Sequence, residues 1–312
     1  MLPLAIQWNV DPVIFHIGSF GVRWYSIGFL IAFLLGYYII AAIFKREKIR
    51  SEYLENLLLY IFLAVLLGAR LGHCIFYDAD YFFTDEHWTE ILWPFHNGHF
   101  TGFSGLASHG AAIGIFIALW LYWKKYRFNA WWLCDRLVIV VALGGMFIRI
   151  GNLFNSEIYG TETSLPWGFV FLREGETVPK HPTGLYEATA YLLIFIVSLI
   201  YYCRKKGQFR TGTIFGWWLV ALFGARFLIE FVKTNGVIEG SVLLKGQWLS
   251  LPLIAGGLVI AWLAHKGKLP QSPFPQGEVK EITDKWDEKR RKEEEKKAKR
   301  KQKKEQKKKQ RK

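Results

Sequence analysis

Long apolar runs separated by short polar ones set the pattern of this chain. Seven of them, near residues 22–44, 56–77, 104–123, 137–156, 185–203, 211–232 and 248–265, have the length needed to cross a hydrocarbon core, which takes about 20 helical residues. Each predicts a membrane-spanning helix. The polar residues between the runs are sorted by sign. Lys45, Arg46, Lys48 and Arg50 follow the first run, Lys124, Lys125, Arg127 and Arg136 the third, and Arg204, Lys205, Lys206 and Arg210 the fifth. The loop from Asp78 to Thr101 has no Lys or Arg and carries Asp78, Asp80, Asp85, Glu86 and Glu90. Basic loops stay on the cytoplasmic side, so the pattern places the N-terminus outside and the C-terminus in the cytoplasm. The expected fold is all-α and polytopic. Residues 1–266 form a seven-helix transmembrane domain with outer loops at 78–103 and 157–184, and residues 267–312 form a basic cytoplasmic tail, disordered or partly helical.

Ionisable residues interrupt four of the runs. Counted from the cytoplasmic ends at 1.5 Å per residue, Arg70, His109, Arg149 and Arg226 all fall roughly 20 to 24 Å above the inner boundary. The common level predicts one polar chamber built from the second, third, fourth and sixth runs. An arginine inside a spanning helix costs about 2.5 to 3.5 kcal/mol on insertion scales, so it faces the bundle interior and marks a site. Asn152 lies three residues past Arg149 on the same helix face, and Asn155, Glu157 and Gly160 continue into the exit loop. Glu157, Glu187 and Glu230 are the nearby carboxylates, and Glu230 is spaced for an intrahelical ion pair with Arg226. Guanidinium forks suit phosphate, and the phosphate abundant at that depth belongs to a phospholipid head group. His109 fits a general base and equally a packing residue. Glycines four apart, at Gly68 and Gly72, Gly110 and Gly114, and Gly212 and Gly216, predict close helix approaches.

Composition narrows the class. With 52% hydrophobic and 17% aromatic residues, the chain is too apolar for a soluble enzyme of its length. The net charge of +14 is concentrated in the last 35 residues, which hold 18 Lys/Arg against 9 Asp/Glu. Such a tail fits the anionic cytoplasmic lipid surface better than nucleic acid, which is not expected as a partner. Cys74, Cys134 and Cys203 stand far apart, without zinc spacing, and read as packing residues. His87, His96 and His99 lie in an aromatic-rich outer loop and read as interfacial filler. No metal or other cofactor is expected. No basic run precedes the first apolar stretch, and no removable signal peptide is expected.

The segment from Arg149 through Asn152, Asn155 and Glu157 to Gly160 closely resembles the signature of bacterial prolipoprotein diacylglyceryl transferases. Further matching patches are Trp24-Tyr25, Gly68-Ala69-Arg70-Leu71-Gly72, Ser108-His109-Gly110, His181-Pro182-Thr183 with Leu185-Tyr186-Glu187, Arg226 through Glu230-Phe231, and Gly246 through Pro252. The resemblance runs in order from about residue 8 to 265 and leaves out the tail. It implies an inner-membrane enzyme that moves the diacylglyceryl group of phosphatidylglycerol onto the lipobox cysteine of a preprolipoprotein, forming a thioether and releasing glycerol-1-phosphate. By that resemblance Arg149, Arg226 and His109 are catalytic. Asn152, Glu157, Gly160, Tyr25, Arg70, Glu230 and His181 join the two arginines in binding the lipid. Two positions depart from the family's pattern: Ser108-His109-Gly110-Ala111 replaces its Phe-His-Gly-Gly, and Leu222 stands where a tyrosine is usual.

Two other classes compete on sequence. Gly102-Phe103-Ser104-Gly105 matches the motif of rhomboid proteases, but their serine needs a later-span histidine and none occurs between Thr211 and Ala264. A phospholipid transporter or scramblase also uses arginines at depth, and it would leave a lipobox peptide unchanged in mass.

Overall fold

A computed structural model describes residues 5–18, 20–84, 87–93, 95–96, 99–100, 105, 107–233, 243–274, 284–296 and 298–299. Its helices are α1 (Trp24–Arg46), α2 (Ser51–Phe76), the short α3 (Ala79–Phe82), α4 (Ser108–Tyr126), α5 (Ala130–Phe154), α6 (Thr183–Lys205), α7 (Thr213–Glu230) and α8 (Lys245–His265). Among the described residues six helices, α1, α2, α5, α6, α7 and α8, are long and apolar enough to cross a membrane. The seventh expected span corresponds to α4, whose 19 residues open on Ser108-His109 and close on Lys124-Lys125-Tyr126. Those polar ends shorten its apolar stretch and leave it outside the six. The protein is therefore a mostly helical, polytopic membrane protein. It is not purely α: strands β1 (Ile6–Trp8), β2 (Val13–Ile17), β3 (Phe20–Arg23), β4 (Phe95–His96), β5 (His99–Phe100) and β6 (Phe169–Phe171) form three two-stranded sheets.

Two helices start well before the apolar pattern predicts, because charged residues stand in their first two turns: Glu52 and Glu55 in α2, and Asp135 and Arg136 in α5. α2 begins at Ser51, and α5 begins at Ala130, where the Asn129 side chain accepts from the Trp131 and Trp132 amides. This overturns the reading of Arg136 as a loop residue. It lies inside α5, 2% exposed, with its guanidinium 2.8 Å from Glu47 and stacked over Trp132. Its neighbour Asp135 accepts from the amides of Gly212 at 2.6 Å and Phe215 at 2.8 Å, satisfying donors that the start of α7 leaves free.

The helices pair as α2 with α4, α1 with α5, α5 with α6, and α7 with α8. Lipid tails are as apolar as leucine, so close packing must hold these pairs, and the predicted glycines supply it. A Cβ on Gly72 would sit 2.5 Å from the Gly110 Cα, and one on Gly110 would collide with the Gly68 carbonyl. Gly216 meets Gly257 and Ala261 of α8 in the same way. The α2 and α4 pair joins the rest through α1 and through an aromatic cluster of Tyr53, Tyr122, Tyr126, Phe128 and Trp132.

At the other end, β1 pairs in parallel with β6, so the N-terminal segment and the 157–182 loop share one small head. Trp8 seals it onto α5 by donating to the Leu153 carbonyl at 3.0 Å and packing on Phe154 and Phe169. Residues 284–296 are helical, Trp286 meets Tyr53 edge-on at 4.6 Å, and Asp287 pairs with Arg50 at 2.8 Å. Asn129 holds the stretch leading to it by donating to the carbonyls of Pro270 and Ser272.

The glycine contact between α2 and α4 is directly testable. Gly110→Val should cost about 1 to 3 kcal/mol through overpacking, read as a lower Tm of the detergent-solubilised protein; an unchanged Tm would show that the two helices do not touch there.

Candidate active site

The outer ends of α5, α6 and α7 meet around a buried carboxylate. Glu187 of α6 is fully buried, and its Oε2 lies 2.5 Å from Nε of Arg149 on α5. Its Oε1 accepts from Nζ of Lys233, three residues beyond α7, at 2.7 Å. Small residues bring these helices together. A Cβ on Gly145 would press on the Tyr191 ring at 2.9 Å, and one on Gly184 would approach the Arg149 carbonyl at 3.3 Å. A lone carboxylate at this depth would be strongly destabilising, and two cationic partners make it tolerable.

From Arg149 a polar chain runs outward along the end of α5. Nη1 donates to Asn152 Oδ1 at 3.3 Å, Asn152 Nδ2 to Glu157 Oε2 at 3.0 Å, and Asn155 Nδ2 to Glu157 Oε1 at 3.1 Å. Both oxygens of Glu157 are thus committed. Tyr25 of α1 packs on Gly151, where a Cβ would lie 2.5 Å from its ring, and its hydroxyl feels both Glu157 and Arg149. The backbone here is strained. Ser156 and Ile158 have φ of 56° and 55°, a region that a β-branched residue seldom enters. Thr183 holds Ile158 in place by donating to its carbonyl at 2.5 Å. Among the described residues, Asn155 Oδ1 and Ser156 Oγ are buried without a hydrogen-bond partner. Strain and unsatisfied polar atoms in one place are features of sites that receive a ligand.

Gly160 explains how Lys233 reaches Glu187. The chain there passes between two others: the Gly160 amide donates to the His181 carbonyl at 2.8 Å, and the Thr161 amide to that of Val232 at 2.9 Å. A Cβ on Gly160 would collide with the Val232 carbonyl and crowd His181. Glycine therefore lets the segment carrying Lys233 lie against the start of α6. His181 itself shares a 3.1 Å hydrogen bond with the Tyr186 hydroxyl, and burial holds its imidazole below the ordinary pKa.

Arg226 of α7 is half-buried, and among the described residues no carboxylate lies within ion-pair distance of it. The intrahelical pair with Glu230 is not made. Glu230 is 5% exposed and turns to the Gly246 amide at 3.2 Å and to Lys233 at 3.5 Å, because Gly246 leaves room for its carboxylate against α8. Arg149 and Arg226 both act electrostatically on the Tyr191 hydroxyl, and α5 packs against α7. The arrangement offers an anion one guanidinium already paired with Glu187 and one that has no carboxylate partner among the described residues.

The single chamber expected from four runs is not closed by direct contacts. Arg70 is buried on α2, with Nε donating to the Ile91 carbonyl at 2.9 Å, Nη2 to that of Glu90 at 2.7 Å, and its face on Phe82. Those donors hold the segment at Glu90 and Ile91 against α2. His109 stands exposed at the outer end of α4, and no hydrogen bond or ion pair among the described residues joins it to the Arg149 cluster. His87 pairs with Glu90 at 3.2 Å and stacks on Tyr81; the side chains of His96 and His99, and Ser104, fall outside the described residues.

Comparison with known proteins decides what this cluster belongs to. The sequence pattern of prolipoprotein diacylglyceryl transferases matches residues 12–263. The chain belongs to this family. Relatives named phosphatidylglycerol–prolipoprotein diacylglyceryl transferase include one from Tolumonas auensis, 41% identical over 266 residues, covering 84% of this chain and 98% of that protein. Another from Bacteroides fragilis is 38% identical over 274 residues (86% and 98%), and one from Chloroherpeton thalassium is 37% identical over 264 (84% and 95%).

In this diacylglyceryl transferase family member, Tyr25, Asn152, Glu157 and Glu187 gather around Arg149, no hydrogen bond or ion pair among the described residues joins them to Arg70 or His109, and Lys233 has no place in the sequence reading. A signal was present: Lys233 is a basic residue on the predicted outer side, where few occur. Glu187 was recognised as a carboxylate without its partners. Replacing it tests the cluster. Glu187→Gln leaves Arg149 and Lys233 without their shared counter-charge and should cost about 3 to 5 kcal/mol, measured as a fall in Tm; an unchanged Tm would show that water already neutralises both cations.

Proposed function

We propose that this chain transfers the diacylglyceryl group of phosphatidylglycerol to the lipobox cysteine thiol of preprolipoproteins, the first step of bacterial lipoprotein maturation. The observation that supports the reading is Arg149, oriented by Glu187 near the strained end of α5, together with Arg226 of the adjoining α7, which has no carboxylate partner among the described residues. The cysteine sulfur attacks the glycerol carbon next to the phosphoester. The carbon to oxygen bond breaks, the thioether forms, and glycerol-1-phosphate leaves with the electron pair. Negative charge grows on the phosphate oxygens in the transition state, and guanidiniums fixed in a dry site stabilise it without reorganising.

Each residue takes a role from its position. Arg149 and Arg226 grip the phosphate, Asn152 and Glu157 orient the glycerol head group, and Tyr25 closes the site from α1. Glu187, Glu230, Lys233, Gly160 and His181 hold this geometry. A thiol of ordinary pKa, near 8.5, is only a few per cent ionised at neutral pH. His109, exposed and uncommitted at the outer end of α4, takes the thiol proton in this scheme. Arg70 stays outside it as an anchor of the outer loop.

The protein works in the bacterial inner membrane with its N-terminus in the periplasm, α4 as the seventh crossing, and its C-terminus in the cytoplasm. The sign pattern of the loops supports this orientation. The basic tail lies against anionic lipid, where each lysine or arginine near the surface contributes about 1 kcal/mol.

Purified protein, phosphatidylglycerol and a lipobox peptide should give a peptide heavier by one diacylglyceryl unit in the mass spectrum. Arg149→Ala and Arg226→Ala should each lower that rate by about a hundredfold or more, as loss of a preorganised charge does. Near-normal transfer by either variant would refute the phosphate grip.

A further inference from the structure

The two helices that carry Glu187 and Arg226 also frame a second feature below them. α6 and α7 are joined by the turn at residues 206–212 and touch each other less extensively than α5 touches α6 or α7 touches α8. Between them lies an apolar cavity of about 360 Å³. Leu193 and Ala221 line its upper end, Tyr201 and Thr213 its lower end, and Ser198 and Trp218 lie between. At 1.5 Å per residue, the cavity begins about 8 Å below the level of Glu187 and Arg226 and ends about 20 Å below it, near the turn. Leu193 is 57% exposed and Trp218 only 8%, so the cavity is a groove, open to the surrounding hydrocarbon on one side and dry at its floor.

We infer that this groove holds one acyl chain of the phospholipid whose phosphate is gripped by Arg149 and Arg226, and that the turn at its lower end limits the length of that chain. The inference rests on the function proposed above and deepens it. Continuity is the first argument: the helices that carry Glu187 and Arg226 also flank the groove, which begins about 8 Å along them from those residues. Size is the second. From Leu193 to Tyr201 and from Thr213 to Ala221 the lining spans about 12 Å of helix, the length of part of one acyl chain and not of a whole lipid. The surrounding bilayer is as apolar as the groove, so transfer into it brings no hydrophobic gain. What the walls supply is shape. The groove therefore discriminates between chain lengths more than it raises affinity.

The experiment compares dioctanoyl and dipalmitoyl phosphatidylglycerol as donors to a lipobox peptide. Ser198→Phe fills the groove part-way down, and it should cut transfer from the dipalmitoyl donor about tenfold, in the range that single hydrophobic-pocket contacts discriminate, while leaving the dioctanoyl donor nearly unchanged. Equal losses for both donors, or no loss for either, would overturn the inference. A second measurement uses the unaltered protein: phosphatidylglycerol with a photoactivatable group near the end of one acyl chain should crosslink to peptides spanning 193–201 or 213–221. Crosslinks confined to other helices would overturn it, and this arm decides the matter even if the variant does not fold. If the unaltered protein transferred nothing from either donor, the proposed function would fail, and the crosslink would still report on the groove.

Discussion

Everything at the outer end of this bundle depends on burying one carboxylate. Glu187 has no exposed surface, and its two oxygens face cations from different elements, Arg149 on α5 and Lys233 beyond α7. An ion pair of this kind contributes little net stability when set against a well-packed apolar alternative, yet removing either partner is costly. Its consequence is geometric. With Nε held by Glu187, Nη1 of the Arg149 guanidinium is turned toward Asn152. The carboxylate thus fixes the orientation of the arginine.

Close approach makes that burial possible, and glycine makes the close approach. Gly145 and Gly184 let α5 and α6 touch, Gly246 admits the Glu230 carboxylate against α8, and Gly160 threads the exit loop between Val232 and His181. These positions form a connected set, since each brings one charged side chain within reach of the next. The strained φ of Ile158, fixed by Thr183, lies in the middle of the set. Strain at that point is consistent with a loop shaped for a ligand at the expense of local stability.

Much of this was legible in the sequence, for identifiable reasons. Apolar run length located the six helices that qualify as spans, and charge inside those runs located Arg149 and Arg226, because a buried arginine stands out against an apolar background. Glycines four apart correctly marked the contacts of α2 with α4 and of α7 with α8. Helix starts were less legible, since charges close to a start, Glu52 and Glu55 in α2 and Asp135-Arg136 in α5, resemble loop in any hydropathy pattern. Partner choice was hidden altogether. Arg70 and Arg149 share a depth and a residue type, but one meets backbone carbonyls of the outer loop and the other meets Glu187. Depth along a helix axis carries no information about the direction in which a side chain points.

The distinction between level and direction also separates the two halves of the molecule. The α2 and α4 pair is built on glycine contacts and tied to the rest through α1, the aromatic cluster at the opposite end from Arg149 and the tail helix at Tyr53 and Arg50. The charged cluster belongs entirely to α5, α6, α7 and the segments that follow them. Among the described residues no hydrogen bond or ion pair joins His109 of α4 to that cluster, so the two halves are held together by packing through α1 and the aromatic residues and not by a shared polar network.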